Sequence, residues 1–281
     1  MKKIAVYANA SKDPGYTVLS RVAAFSERCG VECVVHEPPE GLPAQFQKAS
    51  AKSLSECEAA IVIGGDGTML NAVHEFQPYE IPFLGVNLGT IGFLADVGMD
   101  ELEGRLASLF SGGFTVEERM MARVEEEGKL VADVLNEATL RHEFGAGVGE
   151  FKCYSGNALI GHYSSDGLLV VAPTGSTAYS MSAGGPIVNP ACELLIVQPL
   201  APHSLNNRSI IVSSQEELTL EFNAPTTRVY LDGERHRPNG GRLTVKASPR
   251  KVRFAKFGDY DFYGLLFEKI KQTNYLRGGL S

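Results

Sequence analysis

Between Ala59 and Val73 the chain changes character twice. The run Ala59-Ala60-Ile61-Val62-Ile63 is apolar throughout, as in a buried strand, and Gly64-Gly65-Asp66-Gly67-Thr68 follows at once. Thr68–Val73 then has a helix-like pattern. A strand that feeds a helix through a glycine turn belongs to α/β architecture, with the turn at the carboxyl end of a parallel strand, where such sheets bind ligands. Glycine allows φ > 0 and close approach of a ligand to the backbone. Oriented N–H groups at a helix start hold phosphate. Asp66 changes that reading, because a carboxylate repels phosphate. It makes sense if the acid faces a hydroxyl beside the phosphate, as in phosphoryl transfer to an alcohol. A purely structural role for Asp66 would be that of N-cap. The loop lacks the Gly-Lys-Ser/Thr ending of a P-loop, and it is not the Gly-x-Gly-x-x-Gly dinucleotide fingerprint.

The first third alternates strands and helices. Strands are expected at Ile4–Ala8, Val31–His36, Ala60–Ile63 and Ile81–Val86, and helices at Gly15–Cys29 and Thr68–Phe76. Gly30 is the expected stop of the first helix. Pro38–Pro43 reads as a loop, and Asp100 with Glu103 as a capping box for a helix ending near Phe110. Ser111-Gly112-Gly113 reads as a boundary, which makes residues 1–113 an α/β domain with a parallel sheet. From 114 to 258 short strands alternate with turns: Glu117–Val124, Leu130–Leu135, Leu159–Gly161, Leu168–Ala172, Ile210–Val212, Leu218–Phe222, Arg228–Leu231 and Leu243–Lys246. That pattern suits a mostly antiparallel β-sandwich. Glu125-Glu126-Glu127 before Gly128 reads as a solvated hairpin turn. In the tail, 259–281, Phe262, Leu265, Leu266 and Ile270 recur at helical spacing, as in a segment that docks on the body.

A net charge of −7 over 281 residues argues against nonspecific binding to nucleic acid or anionic membrane. No apolar run approaches the length of a membrane span, and the apolar stretch after Met1 is too short for a signal sequence. The five cysteines, Cys29, Cys33, Cys57, Cys153 and Cys192, are odd in number and scattered, as expected of reduced thiols in a cytoplasm. The six histidines contain no pair at helical metal-ligand spacing.

Three further segments accompany the glycine loop: Asn87-Leu88-Gly89-Thr90-Ile91-Gly92-Phe93-Leu94, Leu135-Asn136-Glu137-Ala138, and the run from Ser165 to Pro190 containing Asp166-Gly167 and Thr174-Gly175-Ser176-Thr177-Ala178-Tyr179-Ser180-Met181-Ser182. In this order they resemble the NAD kinase family, from Ile61 to about Asp232. The resemblance implies transfer of the terminal phosphoryl group of ATP, or in some members polyphosphate, to the 2′-hydroxyl of the adenosine ribose of NAD. It implies that Asp66 accepts the hydrogen of that hydroxyl while Gly64, Gly65 and Gly67 expose N–H groups to the donor phosphates. Asn136 and Glu137 would hold the adenosine half. Thr177, Ala178 and Ser182 with Asp166 would meet the nicotinamide end, and Tyr179 would stack on adenine, with Thr174, Gly175 and Ser176 completing the binding run. Magnesium is implied by the charge of the nucleotide, with no protein ligands assigned. The tail would return to the first domain. A homo-oligomer, dimer or tetramer, is expected, with the segment Pro199–Arg208 as the neighbour's contribution.

Ser164 stands where many members carry a basic residue, and Glu234 where many carry Gln after Asp-Gly. Without the later motifs, Asn136-Glu137 would read as a polar turn and Thr174–Ser182 as a polar loop opening a helix with Ser176 or Thr177 as N-cap. Two other functions share parts of the pattern. A lipid or sugar kinase with the same glycine loop would need no dinucleotide contacts. A non-catalytic NAD(P)-sensing module would need no positioned acid.

Overall fold

The computed structural model describes residues 1–37, 47–89, 92–143, 145, 147–204, 207–258 and 261–278, so the expected loop Pro38–Pro43 lies outside the described residues. The chain divides into two units, Met1–Glu117 with Arg253–Ser281, and Glu118–Val252.

The first unit is laid out by β1 (Lys3–Ala8), α1 (Thr17–Arg28), β2 (Glu32–Val35), β3 (Gln47–Lys48), α2 (Ala51–Ser55), β4 (Ala59–Gly64), α3 (Asp66–Phe76), β5 (Phe83–Asn87) and α4 (Leu102–Ser111). Its strands pair in the order β5-β4-β1-β2-β3, all parallel. Every residue of β4 and β5 is buried, as expected of central parallel strands covered on both faces. Met69, Ala72, Val73 and Phe76 of α3 are fully buried. Complete burial of side chains such as Met69 and Val73 contributes about 1.5–3 kcal/mol each, which fixes α3 and therefore the loop at its start.

Local capping differs from the sequence expectation in one place. α4 starts at Leu102 after Glu101, with no side-chain cap. This start is one residue too late for Asp100 and Glu103 to form a capping box, and Glu103 instead pairs with Arg21 and Arg28 of α1. At α1, the Asp13 carboxylate accepts from the N–H groups of Val18 and Leu19. Gly30 has φ +69° just past α1, the left-handed stop expected of it.

The second unit comprises most of β6 (Thr115–Glu126), β7 (Lys129–Val134), β8 (Glu137–His142), β9 (Gly149–Ser155), β10 (Ala158–Ser165), β11 (Gly167–Val171), the short α5 (Tyr179–Ser182), β12 (Leu194–Leu200), β13 (Ile210–Ser213), β14 (Leu218–Phe222), β15 (Thr227–Leu231), β16 (Glu234–His236) and most of β17 (Arg242–Lys256). One sheet runs β13-β12-β11-β8-β15-β16, antiparallel throughout. β17, β14, β9 and β10 form a second antiparallel ladder, with β6 pairing to β17 and β7. Leu140, Val170 and Val197 from the first sheet and Phe151, Leu220 and Val245 from the second share one buried core, so the unit is a β-sandwich. Leu169, Val171 and Ile196, on the other face of the first sheet, pack with Val188.

α6 (Phe262–Gly278) closes the chain. The ring of Phe262 lies 6.1 Å from that of Phe93, within the first unit.

One expectation in the second unit is corrected, and an inner strand is added. Glu126 is only 6% exposed, not part of a solvated turn. Its carboxylate accepts from the N–H groups of Asn239 and Gly240. Strand β12 is absent from the expected strands and is an inner strand of its sheet.

Candidate active site

The glycine loop stands at the carboxyl end of β4, where the parallel sheet and α3 require it. Its glycines work differently from the sequence expectation, since none of Gly64, Gly65 and Gly67 adopts positive φ. A Cβ on Gly64 would come within 2.3 Å of the Thr68 hydroxyl, whereas Gly65 and Gly67 face open space. Gly64 therefore serves packing, and Gly65 and Gly67 leave room for a ligand.

Asp66 is the first residue of α3, and Gly65 precedes the helix. The carboxylate does not cap its own helix. Oδ2 accepts from Phe93 N–H at 2.9 Å, while Oδ1 accepts from Leu94 and Ala95 N–H at 3.0 and 3.1 Å. A carboxylate offers about four acceptor positions. Oδ1 is filled and Oδ2 keeps one position open. Gly92 makes this arrangement possible, because a Cβ there would stand 1.9 Å from Oδ1. Asn87 braces the same loop, donating to Ala95 O at 3.0 Å and accepting from Gly89 N–H at 2.6 Å. Thr90 and Ile91 lie outside the described residues.

A cleft of about 220 Å³ opens at this loop, lined by Gly64, Gly65, Asp66, Asn87, Lys12 and Lys269 among others. The sequence reading missed both lysines. They stand far apart in sequence, and neither belongs to a recognisable motif. The cleft combines two ammonium groups, open glycine backbone and one carboxylate with a single free acceptor position. That set suits a phosphorylated ligand next to a hydroxyl.

In the second unit, Asn136 and Glu137 are brought together with Thr174, Gly175 and Asp232. The Ala172 N–H donates to Asn136 O at 2.8 Å. A Cβ on Gly175 would stand 2.3 Å from that same oxygen, so only glycine fits against Asn136. Asp232, at φ +48°, gathers the segment from the other side. Its carboxylate accepts from the N–H groups of Leu135, Asn136 and Glu137 at 2.6, 2.8 and 3.0 Å. Sequence reasoning gave Asp232 no role; its position in Asp232-Gly233 was the available signal.

Glu137 begins β8 rather than lying in a turn and is 9% exposed. Burial, with the nearby Asp232 carboxylate as the lesser cause, pushes its acid up to about 8. Glu137 Oε2 and the Thr174 hydroxyl are buried without a hydrogen-bond partner. Unpartnered buried polar atoms cost stability, and a ligand hydroxyl or amide would satisfy them. Burial thus favours the protonated form of Glu137, which can donate to a ligand as well as accept from it.

The other residues of the run are distributed as follows. The Ser176 hydroxyl is buried and both donates to Val188 O and accepts from Val188 N–H, at 3.1 and 3.0 Å. Thr177 donates to Thr174 O at 3.3 Å. α5 is preceded by Ala178 with no side-chain cap, so neither Ser176 nor Thr177 is an N-cap. Tyr179 is 38% exposed, and Ser182 is exposed beside it. Asp166 is exposed just before β11, whereas Thr174 follows that strand. The length of β11, five residues or roughly 16 Å at ~3.3 Å per residue, separates Asp166 from the Glu137 end. Ser164 donates to Glu150, and Glu234 is exposed at the start of β16. Among the described residues no group of three or more His, Cys, Asp or Glu could hold a metal ion, and no helix is long and apolar enough to cross a membrane.

A pH dependence follows from Glu137. Unfolded, the side chain loses its proton near 4.5; folded, it keeps it to about 8. The folded state therefore binds more protons across that window, and stability falls as pH rises through it. Melting temperatures from pH 5 to 8.5 should fall more steeply for the native chain than for Glu137→Gln. Parallel profiles would show that Glu137 ionises normally.

Known proteins resemble this chain in sequence and in fold. A family model described as ATP-NAD kinase N-terminal domain matches residues 16–114, and one described as ATP-NAD kinase C-terminal domain matches residues 135–257. A protein named NAD kinase from Natranaerobius thermophilus is 34% identical over 280 residues, covering 96% of this chain and 98% of that protein. One from Azotobacter vinelandii is 35% identical over 245 residues, covering 83% of each. In fold, the chain is similar to yeast NADH kinase complexed with NADH (TM-score 0.82, 19% identity, covering 100% of this chain and 89% of that one). It is also similar to an NAD kinase from Archaeoglobus fulgidus in complex with ATP (TM-score 0.78, 23% identity, covering 96% and 99%).

Proposed function

The chain belongs to the NAD kinase family, and we propose on that basis, and on its two polar constellations, how it moves the terminal phosphoryl group of ATP to the 2′-hydroxyl of the adenosine ribose of NAD, giving NADP and ADP. The observation that carries the reading is the Asp66 carboxylate, fixed by three N–H donors with one acceptor position left at Oδ2. Phosphoryl transfer asks a protein mainly to position groups and to stabilise charge. Oδ2 orients the attacking hydroxyl and takes its proton late in the transfer. Lys12, Lys269 and the open backbone at Gly65 and Gly67 meet the phosphates of the donor. Magnesium arrives with ATP as part of the substrate.

Asn136, Glu137 and Thr174 hold the adenosine half of NAD, and the buried Oε2 and hydroxyl gain partners when it binds. Tyr179 offers an exposed ring to adenine. Asp166, Thr177, Ala178 and Ser182 receive the nicotinamide half. Gly175 and Ser176 hold the shape of the pocket through Asn136 and Val188. Residues 1–113 form the donor domain, 114–258 the NAD-binding domain, and 259–281 a tail packed on the first. The protein works in the cytoplasm as a homo-oligomer, and Pro199–Arg208 supplies the neighbour's contact; Asn206 in that segment lies outside the described residues.

Initial rates with MgATP and a panel of acceptors test the reading. NAD is the expected acceptor; phosphorylation of fructose 6-phosphate or diacylglycerol in its place would move the chain to the lipid or sugar kinases. NAD binding without turnover would make it a sensing module. Two variant pairs divide the roles. Asn136→Ala and Glu137→Ala should weaken NAD more than ATP, by about 0.5–3 kcal/mol per lost hydrogen bond. Calorimetry with unchanged NAD affinity in both would contradict the assignment. Lys12→Gln and Lys269→Gln should instead raise the KM for ATP severalfold and leave that for NAD unchanged; equal shifts in both would remove the lysines from the donor site.

A further inference from the structure

A second cationic constellation lies at the β15–β16 edge of the sandwich. A cleft of about 350 Å³ is lined by Thr227, Arg228, Arg235, His236, Arg237 and Pro238. Cavities of roughly 300–1,000 Å³ hold small-molecule ligands. The arginines are collected by strand register. Arg228 of β15 is directly opposite Arg141 of β8, and Arg235 of β16 is opposite Tyr230, two residues along from Arg228. Cross-strand partners share a face, as do residues two apart, so Arg141, Arg228 and Arg235 stand on one face of the sheet. Like charges directly opposite each other destabilise a ladder, and among the described residues the only carboxylate paired with the group is Glu143, on Arg228. His236 is engaged by the buried Glu126. Among the described residues Arg141, Arg235 and Arg237 have no ion-pair partner. A chain of net charge −7 thus carries a cleft in which, among the described residues, no acid neutralises Arg235 or Arg237.

We propose that this cleft is a binding site for a condensed phosphate anion, either free or as the phosphate chain of a nucleotide. Guanidinium groups grip phosphate oxygens in two-pronged hydrogen bonds, which a neutral or monoanionic ligand would not repay. The phosphate chain bridges Arg228, Arg235 and Arg237 and relieves the repulsion across β8 and β15. None of these arginines belongs to the Asp66 cleft or to the Asn136–Glu137 pocket, so the site stands independently of the proposed catalytic roles.

Calorimetric titration of the full chain with inorganic triphosphate tests this, against the Arg235→Gln/Arg237→Gln variant. The variant should bind one equivalent fewer, or bind that equivalent about ten- to a hundredfold more weakly per arginine, as expected for charge-assisted hydrogen bonds. Its kcat and KM for ATP should stay at native values. ATP should compete for the lost equivalent and adenosine should not; competition by adenosine would show that the site reads the nucleoside and overturn the proposal. Unchanged stoichiometry and affinity would also overturn it. A parallel rise in the KM for ATP would assign the arginines to the donor site and overturn it as well. If the Gln pair lowers the melting temperature, Arg235→Lys/Arg237→Lys decides. That pair keeps the charge but loses the two-pronged geometry, and should weaken triphosphate severalfold; native affinity in the Lys pair would refute the guanidinium contacts.

Discussion

Asp66→Asn should lower kcat by about 10²–10⁴-fold, the usual cost of losing a positioned base, while the Kd for NAD changes little. The side chain sits at the head of a helix with one buried face and lines the cleft at the glycine loop. The structure adds a second consequence. An amide can accept through only one of its two heavy atoms. In the variant its NH₂ therefore faces either Phe93 N–H or the pair from Leu94 and Ala95. A modest fall in stability is expected alongside the catalytic loss. Gly92→Ala separates the two effects, because it keeps the charge and drives a methyl into Oδ1. It should lose turnover through displacement of the carboxylate. Steady-state rates, NAD binding and melting temperature measured together on both variants check the argument, and near-native turnover in folded Asp66→Asn would reject it.

Asp232→Ala should be the most damaging change in the second unit. It removes the acceptor of three consecutive N–H groups. At roughly 1–3 kcal/mol per donor left unsatisfied, a loss of about 3 kcal/mol or more is expected. This corresponds to a fall in melting temperature of about 6–12 °C, at ~2–4 °C per kcal/mol. NAD affinity should fall with it, since Asn136 and Glu137 lose their anchor. Asp232→Asn is the graded control. Its oxygen can keep the bonds from Asn136 and Glu137 and forfeit only that from Leu135, so its melting temperature should lie between the two. It also removes the like charge beside Glu137, and the Glu137 acid should move down, though burial keeps it above the ordinary range. Equal stability of the Ala and Asn variants would contradict the three-donor account.

The parts of this protein that the sequence made legible are those set by local pattern. The apolar run Ala59–Ile63 had to be a buried strand, and the glycine loop had to end it. Gly30 after α1 had to be a left-handed stop. What remained hidden depends on partners distant in sequence. Asp66 is anchored by residues 93 to 95, Asp232 by 135 to 137, and Glu126 by residues 239 and 240. Each is a carboxylate that reads as polar surface until the backbone N–H groups it collects are known. Strand β8 was missed because it opens on Glu137, directly after Asn136, and local pattern assigns that polar pair to a turn. The burial that goes with the place of Glu137 in a strand also pushes its acid upward. Lys12 and Lys269 are a further case, since only the fold brings them to one cleft.

The identity of the product tests the central claim most directly. Purified chain incubated with MgATP and NAD should yield ADP and a phosphorylated dinucleotide in equal amounts. Phosphorus NMR of that product should place the new phosphate on the 2′-oxygen of the adenosine ribose. Phosphate at any other oxygen, or ATP hydrolysis with no dinucleotide product, would contradict the account.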